Sequence, residues 1–335
     1  MTNKHSDLKN EPFLLKPAGI EKLWGGSRLR DDFSKNIDSE NMAESWECST
    51  HPDGESIVAS GVYKDLTLSE VISKKPHFIG KKLEELTDLP VLVKLIDAQQ
   101  DLSVQVHPND EQAKLIENQN NGKMEFWYVL DAFKGSKLVY GLNHKLTTKH
   151  LSDSISDKSI EKYLQKIPVK KGDIFFINPG TIHAIGAGIL IAEIQQNSNI
   201  TYRLYDYDRI DKNGCKRELN IEKALKVANL DESNIPKQPM RILKYQKGCA
   251  TELLCRCKYF QVERLLINTE RTRILYETAS TDQSFEIYIC INGCGIMLYE
   301  SNKVLMLFKG DCVFLPANSV NIKIHGCLEL LRIYC

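Results

Sequence analysis

Long apolar runs are missing from this 335-residue chain. The longest, AIGAGILIA at residues 184–192, is under half the length a bilayer span needs, and Glu193 closes it. An excess of charge is also missing: Lys plus Arg number 44 and Asp plus Glu number 44. That balance leaves no electrostatic footprint for nucleic acid or an anionic membrane. The opening MTNKHSDLKNEP is polar and leads into no apolar stretch, so no secretory signal is expected. The chain reads as soluble and cytoplasmic. Its ten cysteines, eight of them between Cys249 and Cys335, contain no C-x-x-C pair. Cys255, Cys257, Cys290 and Cys294 suggest a zinc cluster, but their spacing fits no common zinc ribbon. Free thiols acting as small hydrophobes in a reducing compartment are the better reading.

Strand-like runs dominate. They are SIVASGVY (56–63), VLVKLIDA (91–98), LSVQVH (102–107), EFWYVLDA (125–132), KLVYGL (137–142), IFFINP (174–179), ILIAEIQQ (189–196) and ITYRLYDY (200–207). Gly, Pro, Asn and Asp punctuate them, which points to a mainly β sandwich, jelly roll or barrel. Three helices are expected. TLSEVISKK starts with a capping-box spacing, Thr67 to Glu70. DKSIEKYLQKI (157–167) and NIEKALKVANL (220–230) carry apolar residues at helical spacing. DESNIPKQP (231–239) then reads as a linker, placing one domain at 1–238 and a second at 239–335.

A faint internal repeat supports that division. KKGDIFFINPGTIH (170–183) resembles FKGDCVFLPANSV (308–320), and MEFWYVLDA (124–132) resembles FEIYICING (285–293), with Glu125 matching Glu286. His183 falls opposite Val320, and no Gln-x-His precedes Glu286. The second copy keeps the scaffold and lacks the histidines, so the chemistry belongs to the first.

In LSVQVHPND, Gln105 and His107 lie two apart on a strand and therefore share a face. Glu125 opens an apolar strand, where an unpaired carboxylate is costly. His183 follows the turn NPGTI. Two His, a Glu and an amide oxygen suit zinc, and also iron or manganese. Each also has a plainer reading: a lone strand His is more often a hydrogen-bonded structural residue, and Glu125 can pair with Lys123. Glu193 is a carboxylate in an apolar strand, where burial raises the pKa toward a proton carrier's. Arg203 is a cation able to hold an oxyanion or phosphate, with a salt bridge to Asp206 or Asp208 as the plainer alternative. Lys94, Ser103 and Lys123 are placed to face the same cavity.

The segments EKLWGG (21–26), ESWECSTHPDGES (44–56), LSVQVHPND (102–110), GKMEFWYVLDA (122–132), GDIFFINPGTIHAIG (172–186) and AEIQQNSNITYRLYDYDR (192–209) together resemble the type I mannose-6-phosphate isomerases in their short bacterial form. The resemblance implies two cupin β-barrels with a few helices. It implies one zinc ion on Gln105, His107, Glu125 and His183, an active-site Arg at Arg203, and a proton-transferring carboxylate at Glu193. Ser103 and Lys123 match positions associated with substrate. The implied reaction interconverts mannose 6-phosphate and fructose 6-phosphate through an enediol. The phosphate-contacting Lys that long forms place after the Arg has no counterpart in LYDYDR.

Two rivals differ in class. Two His and a carboxylate also form iron oxygenase sites, and a non-catalytic cupin could sense sugar phosphates. The expected partner is a small hexose phosphate, with no nucleic acid and no membrane, in a monomer or weak homodimer.

Overall fold

Alternation along single strands sorts the side chains into layers. In Glu125–Ala132, Trp127 and Val129 enter one apolar core while Phe126, Tyr128 and Leu130 enter another, and Glu125 lies on the Trp127 face. In Val91–Ala98, Lys94, Ile96 and Ala98 share one face while Val91, Val93 and Leu95 join the second core. Such strands are buried on both sides, which is why their sequences read as nearly unbroken apolar runs. The computed structural model describes residues 10–35, 41–119, 121–211, 213–271, 274–300 and 303–335. Most of the polar opening stretch, residues 1–9, lies outside them.

Antiparallel pairing assembles a six-stranded sheet in the order Ile174–Ile177, Glu125–Ala132, Ile189–Gln196, Val91–Ala98, Ala18–Gly26, Met42–Cys48. A five-stranded sheet runs Tyr202–Tyr205, Val104–Val106, His183–Ala184, Lys137–Leu142, Leu164–Pro168. The core containing Trp24, Ile96, Trp127, Phe175, Ile185 and Ile191 takes side chains from both sheets. Val104, Val106, Tyr202 and Leu204 pack on the other side against the helices Thr148–Ser156 and Ile221–Val227.

The C-terminal unit is built on two long strands, Glu286–Tyr299 and Ile322–Tyr334, paired along their lengths. A bulge between Cys290 and Asn292 lets the first strand turn. Ile287 and Ile289 join the core shared with the first unit, whereas Met297 and Tyr299 fill the second unit's own interior. The fold is mainly β and made of two cupin-like units. Their sheets remain open rather than closing into full cylinders.

The internal repeat holds at the level of register. Glu125 pairs with Ile177 and Tyr128 with Ile174; Glu286 pairs with Leu315 and Ile289 with Cys312. The Lys-Gly-Asp turns match too: Gly172 donates to the Val129 carbonyl, and Gly310 to that of Cys290. The units are joined further by Phe13–Lys16, which pairs with Cys312–Leu315.

A buried ion pair sits at this junction. Lys35 Nζ lies 2.6 Å from Glu47 Oε2 and donates to the Gly310 carbonyl, while Ser45 Oγ donates to Glu47 Oε1 at 2.6 Å. Burial raises the Glu47 pKa although Lys35 opposes it. Lys35→Ala is expected to cost about 3–5 kcal/mol, the range for leaving a buried charge unpaired. An acid whose folded pKa lies above its unfolded value loses stability as pH rises. The deficit should therefore grow with pH above the usual carboxylate range, measured by urea unfolding at pH 5 and pH 8. Equal midpoints for wild type and variant at pH 8 would refute it.

Two expectations need correction. Residues 157–167 do not form a helix. Ile160–Lys162 is a single 3-10 turn, and Leu164–Pro168 pairs with Lys137–Leu142 as an edge strand ended by Pro168. Ile160 and Leu164 reach the helix-side core and Ile167 the inter-sheet core, so the same apolar spacing serves a turn and a strand. The helix lies just upstream at Thr148–Ser156, capped by Thr147. In SIVASGVY only Ile57–Val58 is strand, because Gly61, at φ +74°, starts a 3-10 turn. The other two helices occur at Leu68–Lys74, with the Thr67/Glu70 capping box formed, and at Ile221–Val227. No helix among the described residues is long and apolar enough to cross a membrane.

Candidate active site and metal centre

Strand register lines up the polar groups in two rows. Across the five-stranded sheet, Arg203 is the cross-strand partner of Gln105, Gln105 of His183, and His183 of Tyr140. Across the six-stranded sheet the row is Trp127, Glu193, Lys94, Trp46. His107 lies just past the strand Val104–Val106, where Pro108 follows it and Asn109 caps the helix Asp110–Glu117. Lys123 lies two residues before Glu125, which opens its strand.

His107, Glu125 and His183 converge. All three are buried, and their ligand atoms lie within 4.8 Å of one another. His107 Nε2 is 3.1 Å from Glu125 Oε1, and His183 Nε2 is 3.6 Å from Oε2. The opposite nitrogens are occupied: His107 Nδ1 donates to the Ile200 carbonyl at 2.7 Å, and His183 Nδ1 to that of Thr181 at 2.9 Å. Those bonds fix the tautomer and leave each Nε2 with its lone pair, as a metal ligand requires, with Lys123 Nζ 3.4 Å from that of His107. Burial holds both imidazoles neutral, with Lys123 helping to push His107 down to about 3. Both Glu125 oxygens are buried without a donor in hydrogen-bonding geometry, although Lys123 Nζ stands 2.8 Å from Oε1. Burial acts to raise the Glu125 carboxyl, but the opposing charges, Lys123 first among them, hold it well below the usual carboxylate range and keep it ionised. Gln105 contributes an amide whose nitrogen, as placed, is 3.4 Å from His183 Nε2; rotating the amide by half a turn presents its oxygen instead. Two neutral imidazoles, a buried ionised carboxylate and an amide oxygen fit a divalent cation such as zinc.

A cavity of about 280 Å³ opens beside this cluster. Gln105, Ser103, Lys123, Glu193, Lys94 and Arg203 all line it, so the structure brings the sequence-predicted residues together around one space. Glu193 Oε1 accepts from Trp127 Nε1 at 2.9 Å, and Lys94 Nζ is 3.5 Å from Oε2. Burial first, then the Glu125 charge, raises the Glu193 carboxyl to about 7. The plainer reading of Arg203 does not hold. Asp206 pairs with Arg209 and Arg217, and Asp208 with Lys158 and Lys216. Arg203 instead donates from Nε to Ser103 Oγ at 3.2 Å and from Nη1 to the Glu218 carbonyl at 2.9 Å.

Sequence reasoning assigned no role to Lys22, Trp24, Glu44 or Arg217, which also line the cavity. Glu44 was detectable, since ESWEC places Glu44 and Trp46 on one strand face. Trp46 Nε1 donates to Glu44 Oε2 at 2.8 Å, and Lys94 Nζ lies 3.4 Å from the same oxygen. Arg217 carries no such signal, because it arrives on the loop after Tyr202–Tyr205. Five cationic side chains face two carboxylates in the lining, so the cavity favours an anion.

Residues 13–167 match the family model for the catalytic domain of type I phosphomannose isomerase, and residues 250–335 match that for the cupin domain of mannose-6-phosphate isomerase. The mannose-6-phosphate isomerase ManA of Bacillus subtilis is 38% identical over 325 residues, covering 97% of this chain and 99% of the relative. The mannose-6-phosphate isomerase of Streptococcus mutans is 39% identical over 322 residues, covering 96% and 97%. A crystal structure of the mannose 6-phosphate isomerase from B. subtilis superposes with a TM-score of 0.88 at 35% identity, covering 97% of this chain and all of that one.

Proposed function

Since this chain belongs to the type I phosphomannose isomerase family and is an isomerase, we propose that it interconverts mannose 6-phosphate and fructose 6-phosphate with one zinc ion. The observation that carries the reading is the pair of imidazoles locked with Nε2 toward the buried, ionised Glu125 carboxylate, beside a cation-lined cavity. Gln105, His107, Glu125 and His183 hold the ion. The metal-bearing unit spans 1–238, and the unit at 239–335 keeps the scaffold with no such cluster among its described residues. Bound zinc supplies Lewis acidity toward the sugar's oxygens.

The chain's own residues do the rest. Aldose–ketose isomerisation moves a proton between C2 and C1 through an enediol. Glu193, held by Trp127 and poised near neutrality, takes the proton from one carbon and returns it to the other. The Arg203 guanidinium, oriented by Ser103 and the Glu218 carbonyl, balances the negative charge that develops on the enediolate. Lys94 bridges Glu44 and Glu193 and holds the latter's carboxylate in place. Lys123 faces substrate from beside the metal cluster, and Arg217 with Lys22 supplies the charge that a phosphate dianion needs.

Purified protein should form fructose 6-phosphate from mannose 6-phosphate, lose that activity to a chelator, and regain it with zinc. Hexose phosphate binding without turnover by zinc-loaded protein would replace this reading with a sensor. Restoration by ferrous iron and not zinc, with oxygen consumed, would replace it with an oxygenase.

A further inference from the structure

Among its described residues the second cupin-like unit holds no cluster of metal-ligating groups, yet it touches the segment that carries His107. Tyr259 sits in the turn between Cys249–Arg256 and Gln261–Asn268, with the fully buried Phe260 anchoring that turn in the core between the units. Its hydroxyl donates to Asp110 Oδ2 at 2.7 Å. Asp110 stands three residues after His107. Its other oxygen accepts from the Gly122 backbone N–H at 2.9 Å and from Gln196 Nε2 at 2.9 Å. Gln196 Oε1 in turn accepts the Met124 N–H at 3.0 Å, and Lys123 N–H bonds to the Pro108 carbonyl at 3.0 Å. Three consecutive amides leading to Glu125 are therefore tied to the segment that follows His107, and one carboxylate closes the network. Gly122 fits because a Cβ there would come within 2.4 Å of the Asn109 carbonyl carbon.

We propose that Tyr259 and Asp110 are positioning residues through which the second unit fixes the separation of His107 from Lys123 and Glu125. This rests on the metal-site reading above and gives the second unit a role in it. Partners behind metal ligands commonly account for 10- to 100-fold in affinity. Tyr259 acts one link further back, through its hydrogen bond to the Asp110 carboxylate, and its removal should sit below that range.

The test uses the full chain as wild type, Tyr259→Phe and Asp110→Asn, with two readouts. Amide hydrogen exchange at Gly122, Lys123 and Met124 is followed in metal-free protein. The zinc dissociation constant is measured by competition with a chromophoric chelator. Expected results are faster exchange at those amides in both variants, with zinc affinity falling about 3- to 10-fold for Tyr259→Phe and about 10-fold or more for Asp110→Asn. Unchanged exchange overturns the network, whatever the metal does. Faster exchange with unchanged zinc affinity overturns the positioning role and leaves a structural contact. Wild-type protein that binds no zinc is a failure of the metal-site reading itself; the exchange readout then still decides whether the second unit orders this segment.

Discussion

His107→Ala should leave a folded protein that retains no zinc after dialysis and turns over at least about 10³-fold more slowly, a scale set by removal of essential catalytic groups. The imidazole is one of three buried groups whose ligand atoms converge within 4.8 Å. Its loss removes the Nε2 donor nearest Glu125 Oε1 and leaves the carboxylate to Lys123. With one imidazole gone, Glu125 and His183 remain beside the Lys123 ammonium, and that reduced set has little with which to hold a divalent ion. The Ile200 carbonyl loses its donor, but the space vacated by a ring beside a polar cavity admits water, which can replace that bond. Metal content by atomic emission and a coupled assay for fructose 6-phosphate decide the matter. Full zinc retention with wild-type turnover would remove His107 from the site.

The candidate site was legible because a strand is a poor place to hide a polar group. Gln105, His107, Glu125 and His183 each break an apolar pattern, and the second repeat shows the same scaffold without the histidines. The structure adds what period-two reasoning cannot see: Gln105 and His183 are direct cross-strand neighbours, and Glu193 lies between Trp127 and Lys94 in its sheet. Register depends on partners distant in sequence, so no local window reveals it. The same limit explains the strand Leu164–Pro168. Its apolar spacing is compatible with a helix, and only the adjacent Lys137–Leu142 edge decides otherwise. Arg217 was silent for another reason. A cation in a charged loop looks solvated until the fold turns the loop over the cavity, where Arg217 pairs with Asp206 and still lines the space. Tyr259 is the extreme case, since the contact that gives it meaning joins residues 149 positions apart.

Glu193→Gln should keep zinc and lose about 10²–10⁴-fold in turnover, the range for a positioned proton carrier. The amide preserves shape and can still meet Trp127 Nε1, but it cannot take a proton from carbon. The wild-type pH profile follows from the same group. A base must be ionised to act, so kcat/KM should rise with pH through the Glu193 pKa and flatten above it. That pKa stands at about 7, raised first by burial and next by the Glu125 charge, and held down by Lys94 and Lys123. Zinc on Glu125 offsets the second of these causes, so the limb in loaded enzyme should fall below 7 while staying above the ordinary glutamate value. Trp127→Phe removes the hydrogen bond to the ionised carboxylate and should move the limb upward with zinc content unchanged. Lys94→Met removes the cation 3.5 Å away and should move it in the same direction and further, because a full charge is lost rather than a neutral donor. A limb that ignores both substitutions, or a Glu193→Gln enzyme at wild-type turnover, would take the proton transfer away from Glu193.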